Sequence, residues 1–377
     1  MSALPVQPPP SSRPPSRDRP AFPKEAAGGF HQRLRERAQP VIAARARHAK
    51  VVTWTQVILL PGSLVATYVL LLTNGHQLAW FYACYAAFGA LVTFMVLNVV
   101  HDAVHHCLFE SPRANRLAAL ALDLVGGNSF IWERRHVRLH HTYTNIPGWD
   151  VDIEDRTVIR IVPTDPVRWG HRYQHLYLPF LYPFYTVNWF LLRDFRDCFS
   201  KSSLVGRTVH VPRIERVKLV LFKALNLAIM VGVPALVLPH PWYAFLFGFA
   251  LMHAFTGVLT LLIVLPTHFD EDAPFPQPDG DARMQEEWAV HQIRTTNDFS
   301  TDRPFFTWLV GALNHHAAHH LFPSVNHNQL PALTAMVAAT AREAGLPYKS
   351  FTFPGALASH FRLLRRNGMT AAAIFEE

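Results

Sequence analysis

Cysteine is nearly absent from this 377-residue chain: only Cys84, Cys107 and Cys198 occur, and none stand in C-x-x-C spacing. That excludes a disulfide framework and a thiolate metal site, and leaves Cys107 the role of a small buried residue. No haem, flavin or iron–sulfur motif is present, so the chain carries no electron relay of that kind. Charge is also scarce, at 16% against 50% hydrophobic residues. It is missing altogether from residues 51–73, 78–100 and 242–265, and residues 219–238 hold only Lys223. Each run has about the 20 residues that cross a bilayer core. Core helices of a soluble protein rarely run so long without a polar face. The expectation is an all-α integral membrane protein with four transmembrane helices in two hairpins.

What charge there is has a pattern. The formal balance is +8, and Arg33, Arg35, Arg37, Arg45, Arg47 and Lys50 directly precede the first run. The connections 74–77 and 239–241 have neither Lys nor Arg. The positive-inside rule then places the N-terminus, residues 101–218 and everything after His268 on the cytoplasmic side. This placement accounts for the basic residues without a nucleic acid. Trp54, Trp80, Trp242 and Tyr243 fall near span ends, where amphipathic rings settle, and Lys223 is expected to snorkel to the interface. Residues 1–48, rich in Pro, Ser and Arg at the start, read as a disordered cytoplasmic N-terminus, although 33–50 has the make-up of a basic interfacial helix. Residues 49–367 form the membrane domain and 368–377 a tail. Residues 176–195, broken by Pro179 and Pro183, read as an interfacial segment or a cover. Residues 330–343 and 356–366 read as amphipathic helices.

Histidine is what the chain has in excess. His101 and His105 with His106, His136 with His140 and His141, and His316 with His319 and His320 each follow helical i, i+3 or i+4 spacing. Such residues share a helix face. Leaving aside His106, eight facing imidazoles are too many for one ion and suit two. Imidazole accepts iron, zinc, copper and nickel, so the pattern alone leaves the metal open. Ring orientation needs hydrogen-bond acceptors. Asp102, wedged between ligands, is the foremost candidate, followed by Asp150, Asp152, Glu154 and Asp155. His253 lies about 22 Å up the fourth span from His268, at ~1.5 Å per residue, and belongs to another depth. His31, His48, His76, His171, His175, His210, His240, His327 and His360 lack paired spacing and default to surface roles.

The sequences His101–His106, Arg135 to Ile146 and Asn314 to Pro323, with Glu286 to Thr296, together resemble the membrane-bound fatty acid desaturase family, in its acyl-lipid and linoleoyl-CoA desaturase-like branch. The resemblance covers residues from about 50 to about 367. It implies a cytoplasmic helical cap holding a non-haem di-iron centre, with O2 as co-substrate. The ligands it implies are His101, His105, His136, His140, His141, His316, His319 and His320. For the ninth it implies His268, with His291 as competitor; His106 and His315 are neighbours at positions where the family has other residues. The substrate would be a fatty acyl chain on a lipid or CoA, at the face of a bacterial inner membrane or an endoplasmic reticulum membrane. The separate electron donor would be a ferredoxin or cytochrome b5, docking near Arg294, Arg362, Arg365 and Arg366. The third cluster opens with His316 where members that desaturate toward the carboxyl end have Gln, and no His-Pro-Gly-Gly haem motif occurs. Hydroxylation on the same scaffold is the alternative, and a His-rich cation transporter the alternative of another class.

Overall fold

The apolar runs form four helices long and apolar enough to cross a membrane: α1 (Phe30–Asn74), α2 (Leu78–Val104), α3 (Arg213–Val237) and α4 (Trp242–Thr267). A helix satisfies its own backbone groups, which hydrocarbon cannot do. In the computed structural model, which describes residues 19–154 and 157–369, short loops at 75–77 and 238–241 join these helices in pairs. Glycine sets how closely α2 and α4 approach. A Cβ on Gly89 would lie 2.2 Å from the Met252 carbonyl oxygen, and one on Gly248 would meet the Tyr85 ring at 2.6 Å. Thr256 donates across this contact to the Gly89 carbonyl at 2.9 Å. Small residues paired with a hydroxyl are how helices associate in lipid.

Two expectations change here. α1 runs for 45 residues, about 68 Å at 1.5 Å per residue, more than twice the ~30 Å of hydrocarbon. Its first half was expected to be disordered or interfacial. Instead it stands outside the apolar run and packs on the helices that follow the fourth span. The reason is an apolar edge hidden among arginines: Phe30, Leu34 and Ala38, spaced by four, are buried against Leu321, Leu330, Leu333 and Val337. Arg37 adds an ion pair to Glu343 at 2.8 Å. The chain before α1 is also held, with Met284 donating to the Ala21 carbonyl at 2.9 Å. Residues 1–18 lie outside the described residues. The second change is Lys223. It does not snorkel but is buried, its Nζ 2.7 Å from the Gly126 carbonyl and 2.9 Å from Asp194. A counter-ion within reach removes the need for water.

The segment holding Asp194 is a chain of short helical turns from Gln174 to Phe199. It packs along α4, so close that the Tyr182 carbonyl would meet a Cβ on Gly257 at 2.5 Å, and Phe190 reaches Phe249 in the middle of that helix. Beyond α4 follow α5 (Trp288–Thr295), α6 (His316–Leu321), α7 (Leu330–Glu343) and α8 (Phe353–Gly368). The last two match the expected amphipathic helices. The all-α expectation needs one amendment, a parallel pair of two-residue strands, Asp298–Phe299 with Ser350–Phe351. This pair ties the start of α6 to the C-terminal part: Asp298 Oδ1 accepts from the Ala317 amide at 2.8 Å, and its other oxygen accepts from the Tyr348 hydroxyl at 2.6 Å.

Candidate metal centre

The three histidine clusters meet where α2, the turn after it, residues 134–143, the end of α4 and α6 converge. Helix geometry loosens at two of these places. Val96–Val100 and Arg134–His140 are single turns of wide, i to i+5 hydrogen bonding. Such turns concentrate at functional sites. The second lets His136, His140 and His141 face inward together, although His140 and His141 are adjacent and would diverge by about 100° on a regular helix.

Nine imidazoles form two adjoining groups. His101, His105, His136 and His319 have ring nitrogens all within 4.8 Å of one another, and so do His140, His268, His316 and His320. His141 lies between, within the same distance of His319 and His320, and its Nε2 is 3.3 Å from that of His136. His268 therefore stands among the eight box histidines. His291 does not: its Nε2 is 2.8 Å from the Thr144 carbonyl. His315 has both nitrogens on hydroxyls, Thr334 at 2.8 Å and Thr307 at 3.3 Å. His106 takes φ of +59°, which ends the helix and turns its ring outward.

The partners of the outer nitrogens decide where the protons are. His268 Nδ1 is 2.9 Å from the Thr295 carbonyl, and His316 Nδ1 is 3.1 Å from that of Leu313. A carbonyl only accepts, so both Nδ1 atoms carry hydrogen and both Nε2 atoms present lone pairs. Yet these two Nε2 atoms are 2.7 Å apart. A proton between them is disfavoured, because burial depresses His268 to about 3 and holds His316 well below the ordinary imidazole range. Two bare lone pairs at that distance repel unless a cation lies between. Burial likewise keeps His105, His136, His141, His319 and His320 neutral. Nε2 of His105, His319 and His320 has no hydrogen-bond partner at all. For His140, burial opposes a charge, but Asp150 and Asp152 outweigh it and raise the ring to about 9. A metal requires neutral imidazoles with unspent lone pairs: these seven rings meet that as they stand, and His140 meets it on giving up its Nε2 proton.

The acceptors that aim these rings were only partly foreseen. Asp150 takes this role, 3.1 Å from His140 Nδ1 and held by the amides of Asn145 and Asp152. Gln292 was missed: its Oε1 accepts from His320 Nδ1 at 2.8 Å and shares the single Thr144 hydroxyl hydrogen, at 3.0 Å, with the nearer His140 carbonyl at 2.8 Å. Asp102 leans away from the centre, its Oδ2 taking the His327 amide and Nδ1 at 3.0 and 2.8 Å while Oδ1 stays 3.8 Å from His101. Among the described residues Glu154 meets no ring; it accepts from the Leu204 amide and faces Arg196, so it aims none of the histidines. Asp155 lies outside the described residues. His171, His327 and His360, expected at the surface, are each buried. For two of them the partner is far along the chain: His327 reaches Asp102, and His360 Nδ1 donates to the Phe269 carbonyl at 3.0 Å.

A cavity of about 180 Å³ runs from this centre into the membrane-spanning part, lined by His101, His136, His140 and His316 at one end and Phe190, Asn226 and His253 at the other. Arg135 at its wall is buried and paired with Asp197.

A family model described as fatty acid desaturase matches residues 78–352, which include every histidine of the two groups. The sn-1 linoleoyl-lipid 6-desaturase of Arthrospira platensis is 33% identical over 280 residues, covering 74% of this chain and 75% of the relative. The protein of the same name from Synechocystis sp. is 34% identical over 288 residues, covering 72% and 76%. An acyl-lipid (8-3)-desaturase of Physcomitrium patens is 33% identical over 280 residues, covering 73% and 58%.

Proposed function

This chain belongs to the fatty acid desaturase family and is a membrane enzyme of lipid metabolism, and from that premise we propose an O2-dependent acyl-lipid desaturase with a two-iron centre. One ion is assigned to His101, His105, His136, His141 and His319, the other to His140, His268, His316 and His320. The observation that carries this assignment is the 2.7 Å approach of two bare nitrogens, His268 Nε2 and His316 Nε2. A saturated methylene pair offers neither an acidic proton nor an electrophilic carbon, so only redox chemistry removes its hydrogens. Two irons would supply that redox capacity, which zinc lacks.

The protein's share is orientation and exclusion of water. Thr295 and Leu313 through their carbonyls, Asp150 through its carboxylate and Gln292 through its amide fix four rings of the second group. The cavity leads an acyl chain past both groups, and its mainly apolar wall keeps the reacting carbons dry. Forming one double bond while reducing O2 to two waters takes two further electrons and two protons. These electrons come from a separate ferredoxin or cytochrome b5. Arg294 and Arg362 already hold Glu286 and Glu271, which weakens their pull on an acidic donor.

Lipid-borne acyl chains are the proposed substrate, because the names of the three relatives above agree on that carrier. Position 6 is carried by the two at 33% and 34% identity. The charge asymmetry flanking the spans puts the centre on the cytoplasmic face. Expression in a cell without polyunsaturated fatty acids, with double bonds located by mass spectrometry, tests the reading. A new double bond in lipid-bound acyl chains is expected. Inserted, metal-loaded protein that yields only hydroxylated chains, or no product, overturns it.

A further inference from the structure

The end of the cavity remote from the metal centre has an unmet polar demand. Most hydroxyls along the wall are spent on backbone: Thr93 donates to the Thr256 carbonyl, and Thr256 to that of Gly89. His253 and Asn226 differ. Thr186 donates its one hydrogen to the His253 carbonyl at 2.7 Å, so at 3.1 Å from its hydroxyl oxygen His253 Nδ1 must be the donor. His253 Nε2 is then a bare acceptor, and no partner meets it. Asn226 gives its amide hydrogen to the Leu124 carbonyl at 3.0 Å, and its Oδ1 also lacks a partner. Both side chains flank Phe190. The His253 ring centre is 5.5 Å from that of Phe190, and Phe190 and Asn226 Oδ1 lie 2.5 and 3.4 Å from where a Cβ on Gly126 would sit. Lys223 directs its ammonium to Gly126 and Asp194 instead.

Two buried acceptors without a donor lose hydration and gain nothing in return. Resting on the acyl-lipid reading above, we infer that His253 and Asn226 form a subsite for an O–H donor at the methyl end of the bound acyl chain. The methyl end is the one that arrives here, because His253 lies midway along α4, at a depth where a lipid headgroup has no place. From His253 to Val264, both on the cavity wall, ~11 residues cover about 16 Å. An extended chain of ~1.5 Å carbon–carbon bonds advances ~1.25 Å per bond, so about thirteen bonds fit. The donor is either a hydroxyl carried near the end of the acyl chain or a water trapped ahead of its methyl group.

Trp132 and Trp189 line the same cavity, so their fluorescence reports occupancy without turnover. The full-length protein in detergent is titrated with octadecanoic acid and with 18-hydroxyoctadecanoic acid, whose hydroxyl lies thirteen bonds beyond carbon 6, alongside His253→Phe/Asn226→Leu and the milder His253→Gln. A wild-type preference of about tenfold for the hydroxy acid, the worth of one good hydrogen bond, identifies the acyl hydroxyl as the donor. That preference must vanish in the double variant and survive in His253→Gln, with melting temperatures showing that both variants are folded. Equal wild-type binding, with the plain acid binding tighter in the double variant, identifies the water. Equal binding that the double variant leaves unchanged overturns the subsite. Failure of either acid to alter the fluorescence defeats the acyl reading itself.

Discussion

Gln292→Leu removes the acceptor that aims His320 while keeping nearly the same volume. Its cost follows from who is left unpaired. The Thr144 hydroxyl loses Gln292 Oε1 but already has the His140 carbonyl at 2.8 Å, so it is not stranded. His320 Nδ1–H loses its 2.8 Å partner and keeps only Thr144 Oγ1 at 3.4 Å, too long for a good bond. One buried donor is left short, worth about 1–3 kcal/mol. At 1.4 kcal/mol per factor of ten this is about a 5- to 150-fold loss of metal affinity, in line with the ~10–100-fold seen when a partner behind a ligand is removed. Chelator competition on the purified protein, followed by metal analysis, reads it. In the metal-free protein the ring is free to turn or to move its hydrogen to Nε2, so the melting temperature should fall by less than the loss in affinity. Wild-type chelator resistance in the variant, or a fall in stability of the metal-free protein as large as the loss in affinity, refutes the reasoning.

His360 is buried and neutral, with burial lowering it to about 4. Between that value and 6.5 the unfolded chain binds a proton that the folded chain does not, so stability falls as pH drops through this window, by about 3 kcal/mol in full. His360→Gln should lose that share of the acid sensitivity in denaturation from pH 7 to 4, and an unchanged slope contradicts the burial argument. Gly89→Ala places a methyl group 2.2 Å from the Met252 carbonyl oxygen and forces α2 from α4, so thermal unfolding should show a loss of about 1–3 kcal/mol. Cysteines placed at Gln77 and His240 should react with an impermeant reagent from the outer side only; reaction from the cytoplasm alone reverses the proposed orientation.

How much could be read in advance depended on the distance over which each feature is encoded. The spans and the histidine clusters are local: a charge-free run or a repeat of three or four residues announces itself. His268 was reachable only through family resemblance, since nothing beside it in sequence pairs with it. The features that escaped are those whose partners are remote. Gln292 looks like any helix glutamine until α5 brings it against His320. His327 looks like a surface residue until the fold sets it on Asp102, 225 positions away. Lys223 was expected at the interface because its counter-ion, Asp194, is not visible from its own helix. The helix over 33–50 was expected but its burial was not, because three apolar residues, Phe30, Leu34 and Ala38, outweigh a surrounding composition that is polar and arginine-rich. In each case burial was decided by the surface that arrives, not by the residue's own neighbours.

Metal content of the active, purified protein is the most direct test of the central claim. Wild type and His291→Ala are expected to hold about two irons per chain, because His291 is spent on the Thr144 carbonyl, while His268→Ala loses metal from the second group. One ion per chain, stoichiometric zinc in an active preparation, or full iron in His268→Ala would contradict the account.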